Sequence, residues 1–136
     1  MSKIAILGSG SWGSAIADLL SDKNDIFIYA RRSEQIDEWN NHHTNNRYIS
    51  NKIFRNNIKA SNDLKEVICD AEFIINAIPT QNSRAVFKEL SEIINPGTLI
   101  VNLSKGIEKG SGNRISEILN EEIPNAKYAI CSGPSH

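Results

Sequence analysis

KIAILGSGSWGSAIADLL, residues 3 to 20, decides the fold. Ile4 to Leu7 is a short, wholly apolar run closed by glycine, the pattern of a parallel strand buried on both faces. Gly8, Gly10 and Gly13 then have the G-x-G-x-x-G spacing of a dinucleotide-binding turn. In such a turn the first glycine permits the tight bend, the second lets backbone approach a pyrophosphate, and the third lets the helix pack on the strand. Beyond it, Trp12, Ala15, Ile16, Leu19 and Leu20 recur at helical spacing and predict one core-facing apolar stripe. The helix starting near Ser11 directs unpaired N–H groups and the positive end of its dipole into the turn. Glycine spacing alone is a weak signal. Strand, turn and helix in this order, followed by a second strand in DIFIYARR, give it weight.

The alternation continues outward from this unit. SEQIDEWNNHH predicts a short helix, TNNRYISNKIFRNN a polar surface loop rich in asparagine, and NIKASND a short edge strand. Asp63 followed by Glu66 resembles a helix start, with Leu64, Val67 and Ile68 on its apolar side. EFIINAIP is a third buried strand ended by Pro79; Thr80 or Asn82 can cap the next helix, which carries Val86, Phe87, Leu90, Ile93 and Ile94. After the NPG turn come a strand in TLIVNLS, a helix in NRISEILNEEI with Ile115, Ile118, Leu119 and Ile123 inward, and a last strand in AKYAICS. The expected class is α/β: a Rossmann-like, doubly wound, mostly parallel sheet in a single domain.

The 136 residues suffice for one domain and are too few for a two-domain dehydrogenase. A formal net charge of -1, with both signs interspersed, provides no electrostatic footprint for nucleic acid and no polybasic membrane patch. No apolar run approaches the roughly 20 residues of a membrane-spanning helix. A soluble cytoplasmic protein is expected, with Cys69 and Cys131 as reduced core residues. The chain stops at GPSH, directly after a strand, which points to the amino-terminal part of a longer protein.

Ligands of open α/β sheets bind beyond the carboxyl ends of the strands. That rule selects the glycine turn, Arg31 and Arg32, Asn76 to Thr80, Ser104 to Gly106, and Ser132 to His136. An NAD site usually carries an acidic residue after the second strand, to accept from the ribose 2′-hydroxyl; here stand two arginines, which suit a 2′-phosphate. NADP(H) is the expected cofactor, with NAD(H) possible if Glu34 takes the acidic role at the end of a longer strand. Trp12 is either a packing residue or a wall beside the cofactor. Lys105, at the carboxyl end of the sheet, has the charge to meet an anionic or polarised substrate oxygen, whereas Lys109 reads as solvated. Adjacent His42 and His43 lack converging partners, so no metal site is expected.

With these residues placed, the chain resembles the amino-terminal domain of bacterial NAD(P)-dependent glycerol-3-phosphate dehydrogenases. GSGSWGSAIA, YARR, NNRYIS, AIPTQNSR, SKGIE and CSGPSH carry the likeness in this order. The resemblance implies reversible reduction of dihydroxyacetone phosphate to sn-glycerol 3-phosphate for phospholipid synthesis. It implies cofactor contacts from Ser11, Trp12, Arg31, Arg32, Tyr48 and Lys105, alongside Gly8, Gly10 and Gly13 of the fingerprint, and substrate contacts from Lys105, Gly133 and Ser135. It also implies that the proton-transferring lysine and the groups holding the substrate phosphate belong to a helical second domain. Residues 1–136 then contain no assigned catalytic residue: they bind a dinucleotide with negligible turnover, and the parent is a homodimer whose isolated fragment is monomeric. The alternatives are a non-catalytic dinucleotide-binding module and another reductase with a related cofactor domain.

Overall fold

A computed structural model describes residues 2–95, 97–104 and 106–130. Six strands form one sheet: β1 (Ser2–Leu7), β2 (Asn24–Tyr29), β3 (Ile58–Ser61), β4 (Phe73–Asn76), β5 (Leu99–Asn102) and β6 (Lys127–Ile130). Their spatial order is β3-β2-β1-β4-β5-β6, and every neighbouring pair is parallel. The doubly wound sheet is therefore all-parallel, with β3 at an edge as the sequence suggests.

Helices α1 (Ser11–Leu20), α2 (Ser33–Asp37), α3 (Leu64–Ile68), α4 (Thr80–Ser91) and α5 (Ile115–Glu122) make the crossovers. Because successive side chains of a strand point to opposite faces, β1 feeds two cores. Ile4 and Ile6 pack with Ala17 of α1 and with Ile26, Ile28, Trp39 and Phe54. Ala5 and Leu7 join Leu64 and Val67 of α3, Val86, Phe87 and Leu90 of α4, and Ile115, Ile118 and Leu119 of α5. Burial on both faces accounts for the unbroken apolar runs in β1 and β4. Asp63 caps α3 by accepting from the Lys65 N–H at 3.1 Å.

Four expectations need correction. The stripe proposed for α1 faces the sheet only in part: Ile16 and Leu20 are partly buried against the core, but Trp12 and Leu19 are 57% and 69% exposed, Ala15 is exposed, and the fully buried residues are Gly13, Ser14 and Ala17. A helix this close to its strand must turn its smallest side chains inward; a Cβ on Gly13 would stand 2.4 Å from the Gly8 carbonyl oxygen. Cys69 is an exposed thiol at the end of α3, not a core residue, because the helix stops there and releases the chain outward. Cys131 lies outside the described residues. The asparagine-rich segment 44–57 is only partly a surface loop: Asn45 is fully buried, and buried Phe54 sets its ring 4.7 Å from that of Trp39, which stands on a π-helical turn (Glu38–His42) in the stretch expected to be helical. Finally, α4 begins with Pro79 as its cap residue, which supplies no capping side-chain bond, so neither Thr80 nor Asn82 fills that role.

Candidate functional site

Chain connections leave β1 and β4 in opposite directions across the sheet, which opens a crevice at their carboxyl ends. Gly8 stands at its base with φ 107°, and a Cβ there would lie 2.9 Å from the Ala77 carbonyl group. The same loop is tied to both neighbouring strands: the Gly8 N–H donates to Tyr29 O at 3.1 Å, and the Ala77 N–H to Leu7 O at 2.8 Å. Gly8 and Gly13 are thus required by the packing of the chain itself. Gly10 is not. Its φ is an ordinary -77°, and a Cβ there would meet only the Tyr48 ring, at 3.8 Å, an ordinary contact.

Above Gly10 lies a cleft of about 590 Å³. Gly8, Gly10, Ser11 and Trp12 form its floor, Arg31 and Arg32 one rim, and Tyr48 the facing wall. Seven residues singled out from the sequence therefore converge; Gly13 lies beneath the floor, and Lys105, Gly133 and Ser135 are outside the described residues. Gly10 is the cap residue of α1 and the cap has no side-chain bond, so the first-turn amides are directed into the cleft. None of the described residues lining it is acidic. Glu34 is not at the end of a longer second strand: β2 ends at Tyr29, and Glu34 sits on α2 beside a neighbouring hollow, 4.0 Å from Arg32 Nε.

The structure adds residues that the sequence did not single out. Arg47 lines the cleft, with its guanidinium over the Tyr48 ring at 5.7 Å. Gln35 lines it too, one turn into α2. Trp12 divides the cleft from a hollow of about 370 Å³, bounded by Ala77 and Pro79 after β4 and by Leu103 and Ser104 after β5. Two fully buried asparagines at the ends of those strands hold the loops around it. Asn76 Nδ2 donates to Asn102 Oδ1 at 2.8 Å, Asn102 Nδ2 donates to Ser104 O at 2.9 Å, and Ser104 Oγ donates to Ile78 O.

The segment after β5 is clasped by α4. Gln81 donates to Ile107 O at 2.6 Å and accepts from the Lys109 N–H at 2.8 Å. Arg84 reaches Glu108 at 2.8 Å and both Glu121 and Glu122 at 2.7 Å. Hydrogen bonds from Arg84 and Ser111 hold the Glu108 carboxyl down at a pKa of about 2, and the same carboxylates raise Arg84 further above its usual range. These contacts join the AIPTQNSR and SKGIE stretches, which sequence alone leaves as separate motifs. Among the described residues no three histidine, cysteine, aspartate or glutamate side chains converge as a metal site, and no helix is long and apolar enough to cross a membrane.

A model of the NAD-dependent glycerol-3-phosphate dehydrogenase N-terminus matches residues 3–136. A glycerol-3-phosphate dehydrogenase (NAD(P)+) of Streptococcus mutans is 41% identical over 138 residues, covering 98% of this chain and 41% of the relative. The crystal structure of glycerol-3-phosphate dehydrogenase from Coxiella burnetii superposes with a TM-score of 0.89 at 33% identity, covering 99% of this chain and 42% of that one. A solved structure of Plasmodium falciparum glycerol-3-phosphate dehydrogenase gives a TM-score of 0.85 at 29% identity, covering 99% of this chain and 41% of that one. The chain thus spans about 41% of the length of the curated relative it matches.

Proposed function

The chain belongs to the family of the NAD-dependent glycerol-3-phosphate dehydrogenase N-terminus, and on that premise we propose that its cleft is the cofactor site of a longer sn-glycerol-3-phosphate dehydrogenase. Residues 1–136 are then the NAD(P)-binding domain of a two-domain enzyme. The observation that carries this reading is the contrast within the glycine turn. Two glycines are explained by close contacts within the chain, whereas at Gly10, the cap residue of α1, no such contact forbids a side chain and its absence leaves the backbone open to approach from the cleft.

The lining suits a nicotinamide dinucleotide. Gly10 and the first-turn amides of α1 cradle the pyrophosphate, Arg31 and Arg32 take the 2′-phosphate that favours NADP(H), and Tyr48 closes over the turn. Trp12 lines both hollows and would form a wall beside the bound cofactor. Bound there, the cofactor supplies hydride exchange between nicotinamide and the carbon that alternates between carbonyl and alcohol in dihydroxyacetone phosphate and sn-glycerol 3-phosphate.

The chain's own contribution is placement. Asn76 and Asn102 fix the loops flanking the second hollow, and α4 holds the segment that follows Lys105. Lys105, Gly133 and Ser135 are the proposed substrate contacts, with Lys105 also reaching the cofactor. The proton-transferring lysine and the groups for the substrate phosphate belong to the helical domain of the parent, which also provides its homodimer contacts. On this reading the parent works in the cytoplasm to supply phospholipid backbones, while residues 1–136 bind dinucleotide without appreciable turnover. A parallel titration of the chain with NADPH and NADH, followed by nicotinamide fluorescence at low salt, tests this. NADPH should bind more tightly than NADH, and Arg31→Ala or Arg32→Ala should each weaken it about 10-fold or more, as expected for losing a charge-assisted hydrogen bond. Binding of neither nucleotide contradicts the proposal.

A further inference from the structure

We infer that Asn45 is a positioning residue of the cofactor site: its buried side chain sets the orientation of the Ser9–Gly10 peptide and so aims the Gly10 N–H into the cleft. This inference rests on the dinucleotide reading above. Asn45 is fully buried in a turn whose neighbouring residues are largely exposed, and its side chain is fully engaged. Asn45 Nδ2 donates to Ser9 O and to Ser14 Oγ, both at 2.8 Å. Asn45 Oδ1 accepts from Gln35 Nε2 at 3.1 Å.

The convergence on one carbonyl is the informative feature. Ser9 O accepts from Asn45 at 2.8 Å, from Gln35 Nε2 at 2.9 Å and from Ser14 Oγ at 3.4 Å. Three donors on one oxygen leave that peptide plane little freedom. No peptide bond among the described residues is cis, and a trans peptide points its C=O and N–H in opposite directions. With the Ser9 oxygen drawn inward to Asn45, the Gly10 N–H faces the open side of the turn, where Gly10 lines the cleft. A donor held in advance needs no reorganisation when an anionic ligand arrives.

The same residue sets the facing wall. Its backbone carbonyl accepts from the Tyr48 N–H at 3.1 Å and the Ile49 N–H at 2.9 Å, and Ser11 Oγ donates to Tyr48 O at 3.5 Å. Asn45 therefore links the glycine turn to the turn that carries Tyr48, from a position that does not line the main cleft.

The test uses Asn45→Asp, which conserves volume and removes both donors, and Gln35→Met, which removes one donor from Ser9 O and keeps a neutral side chain should the aspartate variant fail to fold. Each is titrated with NADPH beside the wild type while the Gly10 amide is followed by ¹H–¹⁵N NMR. Wild-type binding should move the Gly10 amide proton downfield. The variants that fold should bind about 10- to 100-fold more weakly, with that shift reduced or lost. Folded variants that bind NADPH as the wild type does, with the same Gly10 response, overturn the inference and leave the cofactor site standing. A wild type that binds no dinucleotide overturns both.

Discussion

The two sides of the sheet's carboxyl edge are organised by different chemistry. On the β1–β2 side the loops are held by close backbone approach and by neutral amide hydrogen bonds among Ser9, Ser14, Gln35 and Asn45. On the β5 side the segment from residue 107 to 114 is held by Arg84 and three carboxylates. A neutral network adds no negative charge beside Arg31, Arg32 and Arg47, as suits a cleft for a phosphate-bearing ligand; the nearest carboxylate to the pair, Glu34, stands 4.0 Å from Arg32 Nε outside the cleft lining. An ionic clasp holds its segment firmly but makes it sensitive to acid.

The largest expected effect tests the first side. Gly13→Ala drives a methyl into the Gly8 carbonyl, and Gly8→Ala adds an unfavourable φ to a backbone clash. Each should destabilise the fold by about 3 kcal/mol or more, measured by denaturant unfolding. Wild-type stability in either variant would break the account of close approach. Next, Arg84→Met leaves Glu108, Glu121 and Glu122 without their shared cation; Tm should fall by a few degrees, with amide exchange rising across residues 107–114 and unchanged at Asn45.

The smallest effect is one of pH. The folded-state pKa of Glu108 lies below its ordinary value of 4.5, at about 2. Its contribution is complete above the unfolded pKa and is lost as pH falls through the folded one. Amide protection in residues 107–114 should therefore decline from pH 4.5 towards 2, whereas Glu108→Gln should show low protection already at pH 7 and a flatter acid profile. Equal acid sensitivity at the Asn45 turn would remove the distinction between the two sides.

The sheet was legible because strands buried on both faces are apolar runs, and all six were placed from such runs or from turn residues around them. The glycine turn, both arginines and the break before α4 were legible for local reasons. The face of α1 was legible only in part. Of its apolar stripe, Ile16 and Leu20 pack against the core while Trp12, Ala15 and Leu19 turn away, because the inward face is set by how closely helix and strand approach, and that buries Gly13, Ser14 and Ala17. Asn45 stands among Asn40, Asn41 and Asn46 in the sequence, and only its contacts with Ser9, Ser14 and Gln35 distinguish it. Arg84 and Glu108 are 24 residues apart with no periodicity to connect them.

Gly10→Ala tests the central claim most directly, through its Tm and NADPH affinity measured on the same preparation. The added methyl makes only an ordinary 3.8 Å contact with the Tyr48 ring, so Tm should stay within about 2 °C of wild type. On the proposed reading it also projects where the pyrophosphate would approach, so affinity should fall about 10-fold or more. A variant that folds and binds NADPH as tightly as wild type would contradict the assignment of this turn as the cofactor site.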